Sequence, residues 1–156
     1  MRWIVSTVIV LVLSSIAVAQ QEQLIDKKVL TLEAAKKIAG AAEAEASRRK
    51  ARVVIAVVDD GGHLILLERL DDTQVASVDV GIGKARTAAI YRRPSKEFED
   101  QIRNGRVAAL ALAGATPLQG GVPIFFNGKV VGAIGVSGET PGEDEDIAKA
   151  GAGIFK

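Results

Sequence analysis

Cysteine is absent from this 156-residue chain, which at once excludes thiolate catalysis, cysteine-ligated zinc, iron–sulfur clusters and disulfides. Histidine, methionine and tryptophan occur once each, and aromatic residues make up 4%. Neither sign of charge prevails: 20 Lys and Arg stand against 19 Asp and Glu. No basic excess draws the chain to phosphate backbones or anionic lipid, so nucleic acid is not an expected partner. Any chemistry must come from oxygen and nitrogen groups. What is present, 48% apolar and 25% charged residues, is one domain's length with ample aliphatic material for a core, and excludes a disordered chain.

Residues 1–19 read as a signal peptide. Met1-Arg2-Trp3 is a short cationic start, residues 4–13 are apolar apart from Ser6 and Thr7, and Ala17-Val18-Ala19 is a small-x-small cleavage site. Cleavage before Gln20 and a periplasmic or secreted location are expected. The alternative is an uncleaved anchor, but the run falls short of the roughly 20 residues a spanning helix needs and no charged stop follows. Cleavage would remove the sole Met and Trp. An exported chain without disulfide staples must hold itself by packing or by association, and a homo-oligomer is the favoured expectation.

Residues 20–30 form a polar N-terminal segment, and residues 31–156 a single domain. Thr31 caps a predicted helix on which Leu32, Ala35, Ala39, Ala42 and Ala46 recur at threes and fours, with Glu33 and Lys37 paired on its wet side. The mostly β-branched run 53–58 predicts a strand buried on both faces, and residues 59–62, Asp-Asp-Gly-Gly, turn it into a return strand over 63–69. Ser77 is expected to cap a second helix with an apolar stripe of Val78, Ile82, Ala85 and Ala89, while Lys84, Thr87 and Tyr91 share another stripe. Pro94 ends it, Ser95 starts a short helix, and residues 114–119 are a candidate strand. Residues 124–126 and 129–137 flank Asn127-Gly128, a strong hairpin signal. Thr140-Pro141-Gly142-Glu143 predicts a capping box opening a last helix that runs to Phe155. This order of helix, hairpin, helices, hairpin, helix predicts an α+β domain.

Two near-motifs fail. Gly81-Ile82-Gly83-Lys84 lacks the phosphate loop's first glycine, because Val78 stands there, and its final hydroxyl, because Ala85 does. Gly135-Val136-Ser137-Gly138 departs from a nucleophile elbow at Glu139. The acidic run 143–146 is explained by its place in the first turn of a helix.

Four separated segments carry a resemblance: Val57-Val58-Asp59 with Gly62; Lys84-Ala85-Arg86-Thr87-Ala88; Gly120-Gly121-Val122-Pro123-Ile124; and residues 131–138, Val-Gly-Ala-Ile-Gly-Val-Ser-Gly, with Asp146 and Gly151. In this order they resemble the GlcG/HbpS family of haem-binding proteins, over residues 31–155. The resemblance implies a profilin-like antiparallel sheet flanked by helices, assembly into homo-oligomers, and haem as cofactor. For exported members it implies haem storage or sensing, in one branch for a membrane sensor kinase, rather than catalysis.

Haem needs an apolar slot, cations for two propionates and, optionally, an iron ligand. The candidate contacts are Lys84, Arg86, Tyr91, Arg93 and Ser95. The conventional axial ligands left in the mature chain are His63 and Tyr91. His63 follows a turn, where a lone polar residue is usually solvated, and is the less favoured ligand. Tyr91 is either a tyrosinate ligand or a half-buried residue bonded to backbone. By the resemblance Ser95 is nearest the family's hydroxyl haem contact, although it stands in place of the commoner threonine; it is, with Tyr91, a candidate weak oxygen ligand to iron, and it equally suits a helix cap. Lys84 and Arg86 either hold propionates or are structural, Arg86 then pairing with Asp59 or Asp79. Gly81 and Gly83, costly in a helix interior, imply close approach to that helix by haem or by a neighbouring subunit. The rival reading is an enzyme or binder for a small organic acid held by Lys84, Arg86 and backbone donors near Gly120-Gly121 and Ser137-Gly138, with Asp59 as base. A third is a structural interaction protein.

Overall fold

A computed structural model describes residues 25–155; the expected signal peptide and the cleavage site before Gln20 lie outside the described residues. The elements are α1 (Leu32–Arg49), β1 (Val54–Asp59), β2 (Leu64–Arg69), α2 (Ser77–Tyr91), α3 (Lys96–Arg103), a 3₁₀ turn (Val107–Ala111), β3 (Gly121–Phe126), β4 (Lys129–Ser137) and α4 (Pro141–Ala152). The strands form one antiparallel sheet in the order β2-β1-β4-β3. This is a single α+β domain, as expected.

Strand periodicity sorts the core. Ile55 and Val57 face one side of β1 and stand opposite Val136 and Ile134 of β4. They pack with Ala35, Ile38, Ala42 of α1 and Ile147 of α4 into the larger core cluster. Each such aliphatic side chain, fully buried, contributes roughly 1.5–3 kcal/mol. Ala56, Val58 and Ala133 point the other way, against Ala85, Ala88 and Ala89 of α2. That second interface is built from small side chains, so helix and sheet lie close. At Gly135 a Cβ would collide with the Gly81 carbonyl and the Ala85 amide.

Local signals account for most boundaries. The Thr31 hydroxyl accepts the Ala34 amide at 3.1 Å, and Lys37 pairs with Glu33 at 3.0 Å. In the β1–β2 turn the Asp59 carboxylate accepts the amides of Gly61 at 2.9 Å and His63 at 2.8 Å, an arrangement short polar side chains readily supply. Asn127 and Gly128 both take positive φ, as a two-residue hairpin turn demands. Thr140 and Glu143 form a complete capping box.

Several expectations are corrected. Leu32 is half exposed, and Ile38 takes its place in the buried stripe of α1. Ser77 does not cap α2: it lies buried inside the first turn, and Ala76 holds the cap position without a side-chain bond. Residues 114–119 form no strand, because β4 is already paired by β3 from residue 121 onward. The last helix ends at Ala152 rather than Phe155.

Candidate functional site

Helix α2 organises the site, and its faces meet different surroundings. Lys84 is 4% exposed. Its ammonium donates to the Asp144 carboxylate at 2.8 Å and to the Val136 carbonyl at 3.0 Å, tying α2 to β4 and to the start of α4. Asp144 in turn accepts the Glu139 amide at 3.0 Å. Burial pushes the Asp144 carboxyl above its ordinary value, and the Lys84 ammonium pulls against that shift. One turn on, the buried Thr87 hydroxyl donates to the Gly83 carbonyl at 2.8 Å and accepts the Thr116 amide at 2.7 Å. Residues 113–117 therefore lie along α2, and Gly83 is required because Thr116 occupies the space of a Cβ. The close approach that the two helix glycines imply is made by this chain itself, the sheet at Gly81 and the loop at Gly83.

The outward face of α2 is different. Arg86 is exposed, with no carboxylate in ion-pair distance among the described residues, and it pairs with neither Asp59 nor Asp79. Its aliphatic stem lies against Gly62, where a Cβ would approach Cγ to 2.7 Å, and its guanidinium lies against Gly114. The Tyr91 hydroxyl, half-buried at the end of α2, donates to the Ala113 carbonyl at 2.9 Å. Its ring meets Phe98 of α3 edge to face, with centroids 5.1 Å apart, and the exposed Arg93 guanidinium lies 5.5 Å from the Phe98 ring centre. Such a cation over an aromatic face contributes on the order of 0.5–1 kcal/mol at an exposed site.

His63 sits beside this surface, in the turn that packs on Arg86. The imidazole is 83% exposed, and Nδ1 lies 3.4 Å from Asp59 Oδ1. Partial burial raises the Asp59 carboxyl, but the His63 and Gly61 amides outweigh it and hold the group below its ordinary value. The carboxylate lies on the Nδ1 side of the ring, and Nε2 is the nitrogen left for an incoming metal.

Of the expected site residues, the structure thus brings Arg86, Tyr91 and Arg93 to one surface and adds His63 from the first hairpin. Ser95 is fully buried: its hydroxyl donates to the Leu118 carbonyl at 2.5 Å and accepts the Gly121 amide at 2.8 Å, and it makes no helix cap. Lys84 and Ser95 both face inward, where they join α2 and α3 to the sheet. Phe98 and Asp144 were missed by the sequence reading. Phe98 is legible as the apolar residue opposite the charges of Lys96–Arg103, whereas Asp144 is hidden among helix-start acids. Among the described residues no group of three His, Asp or Glu side chains could hold a metal ion.

Residues 30–153 match the family described as haem degrading protein HbpS-like. Protein GlcG of Escherichia coli K12 is 42% identical over 111 residues, spanning 71% of this chain and 83% of that protein. The crystal structure of a double mutant of Streptomyces reticuli HbpS superposes with a TM-score of 0.78 at 33% identity, covering 86% of this chain and 92% of that one. The structure of a PduOC complex with haem shares the fold, with a TM-score of 0.75 at 22% identity over 83% of this chain and 96% of that one.

Proposed function

The chain belongs to the HbpS-like family, and from that premise we propose that it binds haem on the surface formed by His63, Arg86, Tyr91 and Arg93. The observation that carries this reading is the packing of the Gly62 turn on Arg86. It sets a solvent-facing imidazole beside the Arg86 guanidinium, which has no carboxylate partner among the described residues, and the same helix ends at the Tyr91–Phe98 aromatic pair and at Arg93, itself paired with Glu97 at 3.8 Å. Haem asks for those three things: an iron ligand, cations for its propionates, and flat apolar contact. His63 is the preferred iron ligand, ahead of Tyr91. The Tyr91 hydroxyl would first have to leave the Ala113 carbonyl, whereas the imidazole already stands in solvent beside Asp59. Ser95 and Lys84 support the site from behind.

In this reading the protein is a non-catalytic haem store or sensor, exported by its first nineteen residues, assembled as a homo-oligomer and able to signal to a membrane sensor kinase. A rival organic-acid site built on Lys84 and Asp59 is disfavoured, since both groups are engaged by the chain's own atoms.

A haemin titration followed at the Soret band tests the proposal. His63→Ala is expected to shift the Soret maximum, and Arg86→Ala with Arg93→Ala to weaken haemin about tenfold or more, since a hydrogen bond to a charged group is worth about 1.5–3 kcal/mol. A wild-type spectrum and affinity in both the His63 variant and the double arginine variant would remove haem from this surface. A Soret shift with Tyr91→Phe alone would return the iron to the phenolate.

A further inference from the structure

A cleft runs between the N-terminal segment 25–31, the β3–β4 turn and the end of the chain, and neither the haem reading nor the core makes use of it. It has two lobes that share Lys28, Phe126 and Val131. The apolar lobe, about 320 Å³ and the more open of the two, is walled by Val29, Leu30, Ala34 and Phe155 together with the shared Phe126 and Val131, an almost wholly aliphatic and aromatic lining. The charged lobe, about 510 Å³, carries Lys27, Arg92 and Lys129 beside Lys28, against only two carboxylates, Asp26 and Asp60. One of those carboxylates is already taken: Asp60 pairs with Lys27 at 2.7 Å. Both volumes lie within the range of small-molecule sites, which are mostly apolar with a few placed polar groups.

The cleft is built rather than incidental. Its N-terminal wall is fixed at two points, by the Lys27–Asp60 pair and by Leu30, whose side chain fills the space above Gly132. Arg92 stands at the left-handed position that closes α2, with φ of 56°, and Asn127 turns the β3–β4 hairpin with φ of 49°. Both residues thereby line the charged lobe. The apolar lobe leaves Val29 and part of Phe126 in water, a state that an apolar ligand body would relieve.

From this juxtaposition of an apolar lobe and a cationic one we infer that the cleft binds an amphipathic carboxylate, its hydrocarbon or aryl body along the apolar lobe and its anionic head among Lys28, Arg92 and Lys129. The site is independent of the haem reading, since His63, Arg86 and Tyr91 are not among its walls. A neutral molecule of the same shape would find the apolar lobe but leave the cations without a counter-charge.

Decanoate and decanol are suitable probes, titrated calorimetrically into the purified protein. Decanoate is expected to bind one per chain and at least tenfold more tightly than decanol. Lys28→Ala combined with Lys129→Ala should abolish that preference while leaving decanol and haemin affinities unchanged, and Phe126→Ser should weaken both decyl compounds. His63→Ala should leave decanoate binding intact. Equal binding of the two compounds, or an unchanged decanoate affinity in the double lysine variant, would overturn the inference. So would loss of decanoate binding with His63→Ala, which assigns the ligand to the haem surface, or a signal that depends on protein concentration alone, which assigns the cleft to a second copy of the chain.

Discussion

Lys84 shows how the meaning of a residue depends on what faces it. A lysine on a helix stripe with a tyrosine reads as a cation on offer to a ligand. In the folded chain it is a buried ion pair with Asp144, satisfied by a backbone carbonyl as well. Breaking such a pair from one side leaves an uncompensated buried charge, at a cost of about 3–5 kcal/mol, whereas replacing both partners by apolar groups of similar size is often neutral. Lys84→Met should therefore lower stability by that amount in urea denaturation, and Lys84→Met with Asp144→Leu should restore most of it. A single variant as stable as wild type would show that the pair does not hold α2 to the sheet.

Glu68 offers a second test at this scale. It lies on β2 with one carboxylate oxygen buried and no hydrogen-bond partner among the described residues. Burial, and then the nearby Glu43 charge, push its carboxyl above the ordinary value. A raised native value means that the folded state holds the proton longer than the unfolded one, so stability falls as pH climbs from the ordinary carboxylate range through the native value, and stays lower above it. Glu68→Gln should remove that fall and be the more stable protein at neutral pH, by less than about 1 kcal/mol, the scale of exposed charge effects. Thermal melts of both proteins across that pH window provide the check, and parallel curves would count against it.

Among the elements, α4 starts most firmly. Its Thr140 hydroxyl accepts the Glu143 amide and the Glu143 carboxylate reaches back to the Thr140 amide. Thr140→Ala should cost about 1 kcal/mol, the usual worth of such a cap. The Thr140 hydroxyl, followed by its backbone amide, holds the Glu143 carboxyl below its ordinary value. The cap's ionic part is thus complete above the ordinary carboxylate range and fades as pH falls toward the native value. The difference between wild type and Thr140→Ala should shrink in acid, and a difference that is flat with pH would mean that Glu143 takes no part. Helix α2 is the opposite case. Of its expected stripe only Ala85 and Ala89 are buried, Val78 and Ile82 being partly exposed, while Ser77, Gly81, Lys84, Thr87 and Ala88 are buried instead. A helix that touches water on one side declares its inner face by periodicity. One enclosed by a sheet, a loop and a neighbouring helix does not.

At the scale of the molecule, β2 and β3 are the two edges of the sheet, and they carry the exposed Leu64 and Phe125. Edge strands with exposed apolar side chains invite contact with another chain, so the protein should sediment as a homo-oligomer at low micromolar concentration; a stable monomer would refute this. The order of elements, the two hairpin turns, the Thr31 and Thr140 caps and the α+β class were all legible in the sequence, because each rests on residues close together in the chain. Tyr91 and Arg93 were likewise legible as neighbours, from their adjacency at the end of one helix. The partner of Lys84 lies sixty residues away, Ser95 turns inward onto Leu118 and Gly121, and His63 comes beside Arg86 only because a turn packs on a helix. Local hydrogen bonding and hydrophobic period are written along the chain, but which charge meets which, and which side chain is left facing water, is decided when distant segments close on one another.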